Sequence, residues 1–491
     1  METKQHLPVA IIGAGPVGLA AAAHLLERGL EPILFEAGDR AGAGIARWRH
    51  VRMFSPWRYD VDRAAARLLE RHGWQAPAAD DLPTGGELLD RYLTPLAALP
   101  AIAGRLHTRS RVVAVGRHRL DKMKDAGRSE APFSLQVRGP DGATRRVLAS
   151  AVIDTSGVRA SPLGADGLEA IGEAEAQDRI FAGIPDVRGG DRTRYAGRRT
   201  AVVGAGHSAL NALLDLVALA DTVPATTAVW ILRRGDPATA YGGGAADALP
   251  ARGALGARLR AAVEAGVVEV EAGFRLEAIE REGGALRLRG SRNGAAVELA
   301  PVDEVIGATG GRPDLRPLAE LRLALDPALE SAAALGPLID PNVHSCGTVR
   351  PHGEAELRHP ERGFYIAGVK SYGRAPTFLL ATGYEQVRSI AAAIAGDELA
   401  ARAVELDLPE TGVCGIGSVG GCCAAKADAT IDDEAEAEVI AGQPATCCNP
   451  AGPAELAAGR CCRPLDTVPA GAPCCDAPPT AEARSSCCAA A

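Results

Sequence analysis

The sequence predicts an α/β protein built from two similar strand–turn–helix–strand units and a cysteine-rich tail without regular structure. Three observations predict this. A strand, glycine turn, helix and second strand occur near residue 13 and again about 190 residues later. Hydrophobic residues make up 47% and charged residues 23% of 491 positions, enough apolar surface for large cores. After about Leu408 the hydrophobic periodicity stops and Pro, Gly and Ala dominate, as in segments that cannot bury a core.

Residues 8–38 read as strand, turn, an Ala/Leu helix closed by Gly29, and a second strand ending at Glu36. Residues 135–157 read as a hairpin turning at Pro140–Asp141, then a buried strand and Gly157. Residues 199–234 repeat the first plan, with a helix running through Leu219. Short strands follow over 265–310, and 363–395 read as strand, loop and helix.

The first turn carries Gly13, Ala14, Gly15 and Gly18 in a G-x-G-x-x-G pattern. The first glycine permits the turn, the second lets a pyrophosphate approach the backbone, and the third packs helix on strand. The helix N-terminus then faces the phosphates. Glu36, 21 residues past Gly15, stands where a carboxylate accepts from ribose hydroxyls. In the second turn Gly204, Gly206 and Ala209 occupy the same places, and the amides of His207 and Ser208 open its helix. The strand after it ends in Arg233 and Arg234, which suit a 2′-phosphate, so NADPH is expected there.

Of twelve cysteines, only Cys346 precedes residue 400. Ten of the others form adjacent pairs: Cys422 and Cys423, Cys447 and Cys448, Cys461 and Cys462, Cys474 and Cys475, Cys487 and Cys488. A secreted disulfide fold spreads its cysteines through the core; these read as thiols of a reducing compartment, open to soft metals. They are the expected metal ligands. Cys346 with His344, His352 and His359 is a weaker candidate group. With Lys+Arg 53 against Asp+Glu 61, net charge −8, no basic balance supports a nucleic-acid partner. No stretch reaches the ~18 apolar residues of a membrane span, and no leader pattern is seen, so a cytoplasmic protein is expected. Oligomeric state is not legible.

One acid-ended and one arginine-ended site resembles the layout of flavoproteins that hold FAD first and NADPH second. AlaThrGly at 308–310, with Thr309 and Gly310, is similar to their inter-domain linker motif, and residues 152–157, ending in Gly157, to its earlier counterpart. The resemblance frames residues 8–395. It implies an FAD-binding Rossmann-like domain over 1–195 and 300–404, an inserted NAD(P)H-binding Rossmann-like domain over 196–299, and the tail over 405–491. It also makes Gly368 and Tyr372 flavin neighbours and Trp48 or Trp57 a cover for the isoalloxazine, core packing being the alternative for both tryptophans.

Disulfide reductases of this type place two cysteines beside the flavin; a lone Cys346 excludes that relay in the core. The chain then resembles flavin-containing and N-hydroxylating monooxygenases, with departures. Val187 replaces the histidine of their F-x-G-x-x-x-H motif, and the loop 53–57 lacks their asparagine. GlyIleProAspVal (183–187), ValValGlyAlaGlyHisSerAla (202–209), HisSerCysGlyThrValArgProHisGly (344–353), LysSerTyrGlyArgAlaProThrPheLeu (370–379) and LeuProGluThrGlyValCys (408–414) resemble the flavin-dependent monooxygenases of bacterial arsenic-resistance operons, the ArsO type. That implies an NADPH- and FAD-dependent enzyme using molecular oxygen on a small thiophilic metalloid substrate, trivalent arsenic, with the tail as a metal(loid) binder. Two alternatives stay open: an NADPH-dependent flavin reductase working through the tail thiols, and a metal(loid)-sequestering protein on a flavoprotein scaffold. No Ser-His-Asp arrangement or carboxylate pair appears at motif spacing, so no catalytic residue is nominated.

Overall fold

The computed structural model describes residues 7–242, 244, 250–343, 350–375, 379–406, 448–450 and 462–464. The chain divides into two units, Met1–Ala425 and Lys426–Ala491.

The first unit is built on two five-stranded parallel sheets. In the first, the order across the sheet is Phe364–Ile366, Ala151–Asp154, Val9–Ile12, Pro32–Phe35, Leu106–His107. In the second it is Val268–Glu271, Thr227–Ile231, Arg199–Val203, Glu304–Gly307, Ile180–Ala182. The central strands are apolar runs buried at nearly every position, as expected of parallel strands covered on both faces. The second sheet thus takes Ile180–Ala182 and Glu304–Gly307 from outside 196–299, because the strand after the long insertion pairs beside Arg199–Val203.

Each sheet carries a three-stranded antiparallel companion. One comprises Arg111–Arg117, Phe133–Arg138 and Thr144–Ala149; of the expected 135–157 hairpin, the part that turns at Pro140–Asp141 is its second half. The other comprises Arg275–Glu282, Ala285–Arg292 and Ala295–Glu298. The chain passes between the halves twice, and the two passages, Val158–Ala160 and Gly311–Pro313, pair antiparallel.

Helix Pro16–Glu27 is buried from Pro16 through Leu25. Its run of alanines, Ala20–Ala23, lets helix Leu380–Ile394 pack closely against it. Helix His207–Ala220 fills the same role in the second half, over a core that includes Val202, Trp230 and Ile306. No helix among the described residues is long and apolar enough to cross a membrane.

In the second unit the described residues form one short antiparallel ladder, Cys448–Pro450 with Cys462–Pro464. The other tail cysteines, the expectation of an irregular tail over most of its length, and the His344 and Cys346 pair of the weaker group fall outside the described residues.

A buried ionic group ties the first half together. Glu361 accepts from Arg117 Nε at 2.7 Å, from Arg128 Nη2 at 2.6 Å and from the Arg322 amide at 3.0 Å. Arg117 also lies 3.8 Å over the Phe133 ring. Glu361 is 2% exposed. Removing one member of such a group leaves uncompensated buried charge. Glu361→Ala is therefore expected to lower stability by about 3–5 kcal/mol, read as a shift of the urea unfolding transition.

Candidate functional site

In the first sheet the chain leaves Val9–Ile12 toward Pro32–Phe35 on one side and meets Ala151–Asp154 on the other. This is the topological switch point, where a crevice opens beyond the carboxyl ends of the strands. Gly13 turns there with φ +96°, its amide donating to Phe35 O at 2.8 Å. A Cβ on Gly13 would stand 2.8 Å from Thr155 O, and one on Gly18 would collide with the Gly13 carbonyl; above Gly15 there is open space. Helix Pro16–Glu27 starts at once, with proline in its first turn where no N–H is needed. Glu36 is fixed by two amides, Ala14 N to Oε2 at 2.9 Å and Gly38 N to Oε1 at 2.7 Å. Each carboxylate oxygen keeps a further lone pair for a hydroxyl.

The second switch point lies between Arg199–Val203 and Glu304–Gly307. Gly204 has φ +139°, and a Cβ on it would collide with Ala308 O. Trp230 Nε1 donates to Gly204 O at 2.8 Å, and Gly206 again faces open space. Helix His207–Ala220 follows, with His207 and Ser208 half-buried and Ala209 buried. Arg233 and Arg234 are exposed just beyond strand Thr227–Ile231; Arg233 Nη1 donates to Ala165 O at 2.9 Å. Thr309 Oγ1 donates to Ser161 O at 2.9 Å, and Gly310 O accepts from Ser161 N, so the second passage is stitched to the first. Gly157, half-buried with φ +79°, begins that first passage.

The turn Gly368–Tyr372 follows strand Phe364–Ile366 and lies against the first site. A Cβ on Gly368 would stand 3.4 Å from Val17, and the Gly368 amide donates to Gln386 Oε1 at 2.8 Å. Gln386 Nε2 contacts His352 Nε2 at 2.8 Å and Ser371 Oγ at 2.9 Å. Burial lowers the His352 pKa, so the ring is neutral: Nε2 accepts from Gln386 and Nδ1–H donates to Arg350 O at 3.0 Å. Tyr372 is buried 5.6 Å from the His352 ring, and burial pushes its phenol pKa up. Burial likewise lowers His359 to about 4, with its Nδ1 at the Ala324 backbone. The two described imidazoles of the weaker metal group, His352 and His359, are thus engaged in the core. Among the described residues no cluster of three or more His, Cys, Asp or Glu could hold a metal ion.

Two groups near the sites escape sequence reasoning. Lys370 Nζ lies 2.7 Å from Asp154 Oδ2 and 3.1 Å from Ser156 Oγ, and both charged side chains are 2% exposed. This pair locks the turn to the start of the first passage across 216 positions. No periodicity marks a loop lysine as buried. The second is Asp60, fully buried, with Oδ1 accepting from Ser55 Oγ at 2.8 Å and Oδ2 without a partner. Tyr384 OH donates to its carbonyl at 2.8 Å. The same loop sends Phe54 to the second site, 5.3 Å from the His207 ring. Of the two tryptophans, Trp57 is a core residue at 2% exposure, whereas Trp48 is half-buried over Gly85.

Residues 11–75 match a family model described as an NAD(P)-binding Rossmann-like domain. A comparison with curated protein sequences finds no match. Among solved structures, the chain is similar to the bacillithiol disulfide reductase of Bacillus cereus, with TM-score 0.59 and 19% identity over 79% of this chain and 99% of the other. It is similar to the ornithine N-hydroxylase of Kutzneria sp. 744, with TM-score 0.54 and 18% identity over 79% and 99%. The ornithine hydroxylase of Pseudomonas aeruginosa in its reduced form gives TM-score 0.53 and 17% identity over 80% and 99%. These likenesses show the fold.

Burial raises Asp60 from its ordinary value of 3.8 to about 7. Between pH 4 and 7 the folded chain keeps a proton that the unfolded chain has lost, so this group makes stability fall as pH rises through that window. Asp60→Asn keeps an acceptor for Ser55 and removes the titration. Relative to the parent chain it should gain on the order of 2–4 kcal/mol at pH 8 over its value at pH 4, measured by denaturant unfolding at the two pH values.

Proposed function

We propose that this chain is an NADPH- and FAD-dependent oxidoreductase that oxygenates a thiophilic metalloid, trivalent arsenic, in detoxification within the cytoplasm. The observation that carries the dinucleotide reading is the pair of switch points, one ending in a carboxylate and one in two arginines, joined by a paired double passage. The residues fit both groups. The open faces of Gly15 and Gly206 admit a pyrophosphate at each helix N-terminus, and no Cβ stands in the way. Glu36 would hold the FAD ribose, with Gly13, Ala14, Gly18 and Gly157 around the rest of that cofactor and Gly368, Tyr372 and Trp48 toward its flavin end. His207, Ser208 and Ala209 would take the NADPH pyrophosphate, Thr309 and Gly310 would border it, and Arg233 and Arg234 would meet its 2′-phosphate. When bound, the two cofactors supply the electron transfer; the chain supplies orientation and shielding.

Within that frame Lys370 and Asp154 hold the 368–372 turn at a fixed height over the first site, and neutral His352 holds it from behind through Gln386. In the proposed reaction one oxygen atom of O2 goes to arsenous acid, giving arsenic acid. The other leaves as water, its two hydrogens coming from the hydride of NADPH, which carries both electrons, and from one solvent proton. Arsenic(III) presents a lone pair and a strong preference for sulfur, which suits both an electrophilic oxygen donor and capture by the tail thiols. The ornithine hydroxylases among the similar structures support the oxygenase branch, as does the lack of any cysteine pair before residue 400. The likeness to a bacillithiol disulfide reductase favours a second reading, a reductase whose tail thiols receive the electrons.

Two measurements test this. Replacing Arg233 and Arg234 by Ala should raise KM for NADPH roughly 10- to 100-fold and leave KM for NADH unchanged, since each lost charged hydrogen bond to phosphate weakens binding by about tenfold. In rapid mixing, protein reduced anaerobically with NADPH and then given oxygenated buffer should reoxidise through a transient absorbance phase that arsenite accelerates. Reoxidation insensitive to arsenite, with turnover lost on truncation at residue 411, would move the assignment to the reductase.

A further inference from the structure

Across the second antiparallel sheet, arginines are matched with acids. Arg289 faces Glu280 at 2.9 Å and Glu298 at 2.8 Å, and Arg287 pairs with Glu282 and Glu298. The paired passage departs from this, as does the first antiparallel sheet where Arg111 opposes Arg138, but there both arginines are exposed. In the passage, Arg159 and Arg312 are direct ladder partners, where like charges repel. Neither side chain has a hydrogen bond or ion pair among the described residues, although the chain as a whole is acidic. Arg159 is exposed and Arg312 half-buried. A third guanidinium, Arg374, stands nearby, but its Nε and Nη2 donate to Glu330 at 2.9 and 3.2 Å. Burial and the charges of Arg374 and Arg159 lower the Arg312 pKa, with only Glu330 opposing.

The backbone is shaped around this concentration of charge. A Cβ on Gly167 would stand 2.9 Å from Arg312 Nη2, so the guanidinium lies against bare backbone. Glu330 is held at φ +58°, a conformation non-glycine residues seldom adopt. The Arg374 amide donates to Leu329 O at 2.7 Å, which fixes the Glu330 loop beside the passage. Strand Gly311–Pro313 packs on the Gly368–Tyr372 turn, so the passage that carries the two arginines lies beside the turn of the first candidate site.

We propose that Arg159 and Arg312 form an oxyanion-binding site at the passage between the two halves. Two guanidiniums on directly opposed ladder positions can donate together to a tetrahedral, phosphate-like group. The group has two sources: a phosphate of the nicotinamide cofactor, or a free inorganic oxyanion. The second rests on the proposed arsenic reaction. Arsenous acid is neutral near pH 7 and arsenate is anionic, so the site would hold the product and not the substrate.

The test uses the full-length chain, its Arg159→Ala, Arg312→Ala and double variants, and an Arg233→Ala/Arg234→Ala control. Inorganic phosphate is the probe, by calorimetry, followed by arsenate. The parent and the control should bind one phosphate per chain, and the double variant should bind at least tenfold more weakly. If KM for NADPH relative to NADH is unchanged in the double variant, the free oxyanion is the source. If KM for NADPH alone rises about tenfold and phosphate competes with NADPH, the source is the cofactor. Thermal unfolding without ligand supplies a second readout: removing either arginine relieves repulsion and should leave Tm equal or higher. Equal phosphate binding by parent and double variant, or a Tm that drops when either arginine is removed, would overturn the proposal. The binding readout needs no oxygenation, so it stands or falls apart from the assigned reaction.

Discussion

Both halves depend on one close approach of backbone to backbone. At each switch point, the residue that ends the first strand is pressed against the chain leaving the strand next door. Gly13 lies against Thr155 and Ser156, and Gly204 against Ala308. Thr155 Oγ1 fastens the first contact to the carbonyls of Ile12 and Gly13 at 3.0 and 3.1 Å. Any side chain at either glycine would push the strands apart, so the residue type follows from the sheet before any ligand is considered. Once the contact is made, three things are fixed together: where the helix begins, which way its first amides point, and where the neighbouring strand must release the chain. The released chain then passes to the other half within three residues, as Val158–Ala160 in one case and Gly311–Pro313 in the other.

That coupling explains which features the sequence displays. The two fingerprints were legible because glycine at a positive φ, a small residue beneath a helix and a charged strand end each have a local cause. Both parallel sheets were legible as unbroken apolar runs, and the Ala/Leu helices by composition. The pairing of the two passages was half legible, as similar small-residue motifs at 152–157 and 308–310. The membership of Ile180–Ala182 and Glu304–Gly307 in the second sheet was not, because strand order is settled by tertiary pairing and leaves no local mark. Lys370, Asp60 and the Glu361 group were invisible for a related reason: each is a polar side chain whose burial depends on partners tens to hundreds of positions away.

Those buried polar groups lie where shape matters most. Desolvating a lysine and an aspartate is costly, and an apolar pair of similar volume often holds a fold as well. The Lys370–Asp154 pair instead gives direction: it sets one turn against one passage at hydrogen-bond distance. The chain His352, Gln386, Gly368 does the same from the opposite side, with a histidine that stays neutral because it is buried. The turn is thus held from two sides by groups whose geometry tolerates little slack.

The same reasoning separates charges that build the fold from charges that are left over. Acids outnumber bases by 61 to 53, and the buried arginines Arg117, Arg128 and Arg388 have carboxylate partners. Arg117 and Arg128 share Glu361, Arg374 has Glu330, and Arg388 has Glu385. With an excess of acids available, a like-charged pair on a two-stranded ladder is not a shortage of partners. It sits where the chain passes from one half to the other, beside the turn that two buried networks hold in place. Such a pair weakens the ladder it belongs to, and unlike the exposed Arg111–Arg138 pair it includes a half-buried guanidinium, whose charge a bound anion would neutralise.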